Sequence, residues 1–290
     1  MNHQECLSVL IPAFNEEHTI EKVLSRVLEL GDLLKEIVVV DDGSQDRTAE
    51  IAREVAREYA IVKVIELQKN QGKTAAICRA IAEATGEIMV IQDADEEYDP
   101  TEIPSVIQPI LDDRADVVYG SRFMVRRAAR VLYFYHYIAN KTLTFLSNML
   151  TNRNMSDIET GYKAFRSCVI KPFEFTSRGF GMEIELTAMI CKTKARTYEV
   201  PISYYGRTYD EGKKIGMTDG FAAIWYILYY NCFARLFASK RAYVEKVDRS
   251  LSHAQGTTAP APKTSRQAVV PVRSRGWFPG LLRPVAGTKR

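Results

Sequence analysis

Four short apolar runs, each followed by a stretch whose apolar residues recur at helical spacing, constrain this chain to one kind of architecture. Residues 7–13, 37–40, 61–67 and 88–91 are rich in Val, Ile and Leu, the character of strands in a helix-covered sheet. Ile20, Val23, Leu24, Val27 and Leu28 form one helical stripe. Ala52, Val55, Ala56 and Tyr59 form a second, and Ile77 with Ile81 a third. Such alternation predicts an α/β fold, a parallel sheet wrapped by helices and joined by right-handed crossovers. Asn15 is the predicted N-cap of the first helix, with Glu16 and Glu17 in its first turn.

Downstream the pattern loosens. Ile103, Val106, Ile107 and Ile110 mark a helix with a kink at Pro109, and residues 116–120 a fifth strand. Residues 131–150, rich in Tyr, Phe and Leu, form an amphipathic segment. A strand-like piece over 160–166, a helix over 182–193 and a strand over 198–205 follow. The polar stretch 207–216 is predicted to be a mobile loop. The expected organisation is one α/β domain over 1–218, an amphipathic helix over 219–247, and a disordered basic tail over 248–290. The net charge of +3 is unevenly spread: from Lys246 onward, nine Lys and Arg face a single acid, so the preceding body is mildly acidic. Five scattered cysteines with no C-x-x-C pair fit reduced thiols in a cytoplasmic setting. No basic region precedes the first apolar run, so no signal peptide is expected.

The strand over 88–91 ends in acid: Asp93, Asp95, Glu96, Glu97 and Asp99. Side chains two apart on an extended chain point the same way, so Asp93 and Asp95 can face one ion together. Paired carboxylates at a strand's carboxyl end suit a hard divalent cation such as Mg²⁺. Asp41 and Asp42 bring a second acidic site to the same sheet edge. They can accept hydrogen bonds from a base or ribose, or cap the turn that follows. Asn70-Gln71-Gly72-Lys73 opens a helix whose amides and lysine can face a phosphate. Position 67 is Leu, where a P-loop needs glycine. Neither G-x-G-x-x-G after the first strand nor G-x-S-x-G is present, which argues against a dinucleotide-dependent dehydrogenase and a serine hydrolase. The four histidines show no ligand spacing.

Taken in order, Val9-Leu10-Ile11-Pro12-Ala13-Phe14-Asn15-Glu16-Glu17, Val39-Val40-Asp41-Asp42-Gly43-Ser44, Asn70-x-Gly72-Lys73, Asp93-Ala94-Asp95 and Gly120-Ser121-Arg122 resemble the motifs of family 2 glycosyltransferases of the GT-A fold. Within that family the chain is similar to dolichol-phosphate mannose and glucose synthases and their bacterial polyprenyl-phosphate relatives, over residues 5–240. The stretch Asp157 to Arg166, and Glu211-Gly212-Lys213 after Arg207, carry the likeness into the acceptor half. The resemblance implies that Pro12, Phe14, Glu16 and Asp42 hold the nucleoside, with Lys73 and Asp93 completing the nucleotide site. It implies that Asp93 and Asp95 hold Mg²⁺ or Mn²⁺ on the diphosphate. Glu97 is a third metal candidate, standing where the mannose synthases have a glutamine. Arg122, Arg207 and Lys213 would contact donor and acceptor phosphates and form the catalytic set with Asp93 and Asp95. His136 falls where the relatives place an acceptor-binding arginine.

The activity so implied is inverting transfer of a hexose from a nucleoside-diphosphate sugar to a dolichyl or undecaprenyl phosphate. The cation would act as a Lewis acid on the departing diphosphate. An acceptor phosphate, with a second pKa near 6, would attack largely unprotonated and needs placement more than a base. A sugar-hydroxyl acceptor would need a base, for which Asp157, Glu159, Glu183 and Glu185 are candidates. A non-catalytic nucleotide-sugar-binding scaffold is the third reading. Residues 131–150 and 221–237 are too short or too interrupted to span a bilayer, yet their aromatic belts suit the headgroup layer. Trp277, Phe278, Leu281 and Leu282 in the basic tail suit it too. The expected location is the cytoplasmic face of a membrane, peripherally bound. Nucleic acid is not an expected partner, because the basic residues are not set on a folded face.

Overall fold

The computed structural model describes residues 5–124, 133–177, 179, 181–206 and 217–257. Its first half alternates β1 (Leu7–Ala13), α1 (Ile20–Leu28), β2 (Leu34–Asp41), α2 (Thr48–Glu58), β3 (Val62–Glu66), α3 (Lys73–Glu83) and β4 (Ile88–Ile91). Then come α4 (Ile103–Leu111), β5 (Val117–Ser121), α5 (Phe134–Thr151), β6 (Lys163–Arg166), α6 (Ser167–Ile170), α7 (Gly181–Ile190) and β7 (Thr197–Pro201). The described residues end with α8 (Met217–Leu228) and α9 (Ala238–Thr257).

The strands form one sheet in the order β3-β2-β1-β4-β6-β5-β7. The first four run parallel, as the alternation predicts. β6 departs from that expectation by lying antiparallel between β4 and β5, while β7 pairs in parallel with β5. Alternation along the strands divides the core in two. Leu10, Val38, Val40, Met89 and Ile91 join Ile77 and Ile81 of α3 on one face. Val9, Ile11, Ile37, Val39, Ile88 and Val90 join Ile20 and Leu24 of α1 on the other. Each such side chain, fully buried, stabilises the fold by about 1.5–3 kcal/mol.

Three expectations need correction. Asn15 is not an N-cap: it sits at φ +54°, and α1 begins only at Ile20, after Thr19. Its amide instead donates to Ser44 Oγ at 2.9 Å and its Oδ1 accepts from the Gln45 amide at 2.9 Å, tying the loop after β1 to the loop after β2. The helix expected over 219–247 is broken. A π turn over Tyr229–Phe233 and a 3-10 turn over Ala234–Leu236 separate α8 from α9. There Asn231 donates to the Ile227 carbonyl, and the rings of Tyr229, Phe233 and Phe237 pack together. Side-chain bonding to a carbonyl one turn back bends helices in this way. Finally, α9 runs to Thr257 with Leu251 buried, so the first ten residues of the segment expected to be disordered, 248–290, are helical. The expected mobile loop 207–216 lies outside the described residues.

Candidate functional site

The carboxyl ends of β1, β2 and β4 lie side by side, and the loops that leave them build the acidic rim. β2 closes on Asp41 and Asp42, both buried. Asp42 accepts from the Gln71 amide at 2.8 Å and the Gly72 amide at 2.7 Å. Its carboxylate therefore organises the turn before α3. Gly72 sits at φ +92°, a conformation open to glycine at no steric cost, and sets Lys73 as the first residue of the helix. Lys73 Nζ reaches across to Asp93 Oδ1 at 2.6 Å. Burial opposes its charge, but Asp93 and Glu183 outweigh that and hold the ammonium above the ordinary lysine range. Gly161 presses on the other side of the carboxylate: a Cβ there would stand 2.8 Å from Asp93 Oδ2.

From Asp95 onward the chain turns tightly, with the Glu97 amide on Asp95 Oδ1 at 3.2 Å. Glu97 Oε2 accepts from the Tyr204 hydroxyl at 3.0 Å, and its carbonyl from the Tyr205 amide at 2.9 Å. Tyr98 packs between Tyr162 and Tyr204, at centroid distances of 5.2 and 5.4 Å. Its hydroxyl oxygen accepts from the Gly161 amide at 3.1 Å. The segment just before residues 207–216 is thus tied directly to the acidic turn.

Arg122 follows β5 and forms a two-pronged pair with Asp157, both contacts at 2.7 Å, with Asp157 fully buried. Its guanidinium lies 5.2 Å over the Tyr204 ring and reaches Asn140 of α5 at 3.5 Å. Glu199 of β7 holds the partner loop in place by accepting from the Ser156 amide at 2.8 Å and the Asp157 amide at 3.2 Å. Two residues on, Glu159 has a shielded Oε1 with no hydrogen-bond partner. Burial, reinforced by Glu183, pushes its carboxyl up to about 8 against the pull of Lys163 and Arg122. Burial also draws Lys163 down toward about 8, while its ammonium donates to the Thr160 carbonyl.

Of the residues singled out from sequence, Asp42, Lys73 and Asp93 come together at one rim. Pro12 is buried within β1 opposite Val40, whereas Phe14 is exposed. The Glu16 carboxylate accepts from Thr19, which also donates to the Ala94 carbonyl beside Asp93. Among the described residues no three His, Cys, Asp or Glu side chains form a closed metal cage, so Glu97 is not gathered with Asp93 and Asp95 into a three-ligand set. His136 lies on α5, one turn before Asn140, whose side-chain amide donates to the His136 carbonyl. Arg207 and Lys213 lie outside the described residues. Among the proposed bases, Asp157 is held by Arg122. Glu185 is enclosed by Thr176, Ser177 and Lys240. Sequence reasoning missed Tyr98, Tyr204 and Gly161. Their clearest signal is the aromatic and glycine content of Tyr98-Asp99-Pro100 and Thr160-Gly161-Tyr162.

The sheet order, its covering helices and the carboxylates beyond β4 define a GT-A glycosyltransferase fold. A crystal structure of glucosyl-3-phosphoglycerate synthase from Mycobacterium tuberculosis in complex with Mn²⁺, UDP and phosphoglyceric acid superposes with a TM-score of 0.59 at 22% identity, over 78% of each chain. Another, with Mg²⁺ and UDP, gives 0.61 over 77% of this chain and 78% of that one. These likenesses concern the fold. The chain itself belongs to glycosyl transferase family 2, whose model matches residues 8–171. A dolichol-phosphate mannosyltransferase of Pyrococcus furiosus is 34% identical over 215 residues, 73% of this chain. An undecaprenyl-phosphate 4-deoxy-4-formamido-L-arabinose transferase of Edwardsiella ictaluri is 30% identical over 211 residues, 71% of this chain. The matched regions span 60% and 62% of those two relatives.

Proposed function

We propose that this protein transfers a hexose from a nucleoside-diphosphate sugar to a polyprenyl phosphate at a membrane surface, with Mg²⁺ or Mn²⁺ held by Asp93 and Asp95. The position of Arg122 carries the reading. Through Tyr204 it adjoins the acidic turn at Glu97, and through Asn140 it adjoins α5. α5 packs on α8, and the two leave Phe134, Tyr135, Phe145, Phe221 and Trp225 exposed. An apolar face of that kind, next to a fixed guanidinium and Lys141, suits a phosphate carried on a lipid. No single helix among the described residues is long and apolar enough to cross a membrane. The aromatic face would rest in the headgroup layer of the cytoplasmic leaflet. Relatives named for dolichol phosphate and undecaprenyl phosphate support the acceptor class.

The donor set fits a hard cation. Mg²⁺ is characteristically held by one or two carboxylates plus substrate phosphates, with no protein cage. When bound, it would supply Lewis-acid neutralisation of the charge that grows on the leaving diphosphate. Gly161 and the turn after Asp95 aim the carboxylates, and Lys73 adds a positive charge beside them. Arg122 would orient the acceptor phosphate, joined by Arg207 and Lys213. A phosphate nucleophile needs no base, which agrees with Asp157 being held by an arginine.

The test is transfer by the purified full chain in detergent, with undecaprenyl or dolichyl phosphate, Mn²⁺ and a panel of labelled sugar nucleotides. We expect a labelled lipid phosphate, and a loss of about 10²–10³ in kcat/KM in Asp93→Asn. Transfer to sugar hydroxyls alone would overturn the acceptor assignment. One observation favours that second reading: the unpartnered oxygen of Glu159, on a carboxyl that burial raises to about 8 and that would serve as a base once ionised. Nucleotide binding without any turnover would point to the scaffold.

A further inference from the structure

Asp93 carries a cation already, and it is the protein's own. Lys73 Nζ lies 2.6 Å from Asp93 Oδ1, while Gly161 closes on Oδ2. A divalent ion arriving alone must take its place beside an ammonium that shares its ligand. An ammonium 2.6 Å from the shared carboxylate repels a dication arriving there, so Lys73 opposes the bare ion. A diphosphate changes the balance. Its oxygens give the ammonium another partner within reach of a flexible four-carbon stem that starts at the first residue of α3. The turn before α3 is fixed by Asp42 through the amides of Gln71 and Gly72, so the stem swings from a rigid base.

We propose that Lys73 is an exchangeable counter-ion of the metal site: it holds Asp93 before the cation binds and passes to the donor's diphosphate when cation and donor are both present. This deepens the function proposed above and rests on its metal assignment. The consequence is coupling: cation and sugar nucleotide bind more tightly together than either does alone, and each promotes the other by the same factor.

Mn²⁺ titrations of the full chain, followed by the electron paramagnetic resonance signal of the free ion, test this with and without UDP or GDP. Against wild type, Lys73→Met should bind Mn²⁺ alone about fivefold to tenfold more tightly, the scale of one partly exposed ion pair removed from competition. The tightening produced by nucleotide should shrink by a similar factor. Lys73→Arg, which keeps the charge, should behave as wild type. Thermal melts of all variants establish that they are folded. Lys73→Met binding Mn²⁺ no more tightly than wild type, or showing undiminished coupling to nucleotide, would overturn the exchange. Asp93→Asn separates this failure from that of the underlying function. If it leaves Mn²⁺ affinity unchanged, the metal assignment itself falls; if it weakens Mn²⁺ while Lys73→Met has no effect, only the counter-ion role falls.

Discussion

Carboxylates on the two sides of this sheet are held in different ways. In the β1–β4 half, Asp41, Asp42 and Asp46 accept from amides and hydroxyls of neighbouring loops: Ser44, Gln71, Gly72 and Thr48. In the β5–β7 half, Asp157, Asp116 and Glu185 are met by Arg122, Arg196 and Lys240, separated from them in sequence by 35, 80 and 55 residues. An amide-held carboxylate shapes a loop, and weakening it costs one or two hydrogen bonds. A carboxylate buried against a cation leaves an uncompensated charge when its partner goes. With Asp93 on Lys73 and Glu36 on Lys63 as exceptions, the β1–β4 half thus uses its carboxylates mainly to position backbone, and the β5–β7 half mainly to position charge.

The sharpest way to break this contrast is Arg122→Met. It leaves Asp157 buried without its cation and should destabilise the fold by about 3–5 kcal/mol in urea unfolding. The double variant Arg122→Met/Asp157→Leu should recover most of that loss, because the charge leaves with its partner. Equal losses in the single and double variants would put the pair on the same footing as the amide-held carboxylates. Asp42→Asn should cost less, about 1–2 kcal/mol, because one acceptor oxygen survives. It should raise the KM for sugar nucleotide more than it lowers kcat.

The smallest effect concerns Glu159 and depends on pH. The folded chain keeps a proton on this carboxyl up to about 8, whereas the unfolded chain releases it in the ordinary glutamate range. Stability contributed by the proton is therefore complete below that range and is lost as pH rises toward 8. Glu159→Gln should match wild type at about pH 4 or below and become the more stable of the two near pH 8. The difference between their urea midpoints isolates this group, and a gap that does not change with pH would refute its protonation.

Legibility followed the same division. The first four strands and their helices could be read directly, because each depends on local period. Asp41-Asp42-Gly43-Ser44 was legible as a turn, but the attachment of Asp42 to Gln71 and Gly72 was not. Neither was the meeting of Lys73 with Asp93, nor of Arg122 with Asp157, since no periodicity marks a pair joined only by tertiary packing. β6 escaped as an antiparallel strand because four residues, Lys163–Arg166, are too few to declare a direction. The interruption between α8 and α9 was invisible to an apolar count, since the aromatics around it also fit a continuous helix.

Gly161 has a meaning that its lack of a side chain conceals. Its backbone is not in the left-handed region, so conformation does not demand glycine there. Clearance does: one methyl group would meet Asp93 Oδ2 at 2.8 Å and Tyr98 at 3.3 Å. Alanine at this position would alter no charge and remove no donor, yet it would tilt the Asp93 carboxylate like a shim under a lens. The aim of Asp93 is thus set by a gap one carbon wide, on a loop some seventy residues further along the chain.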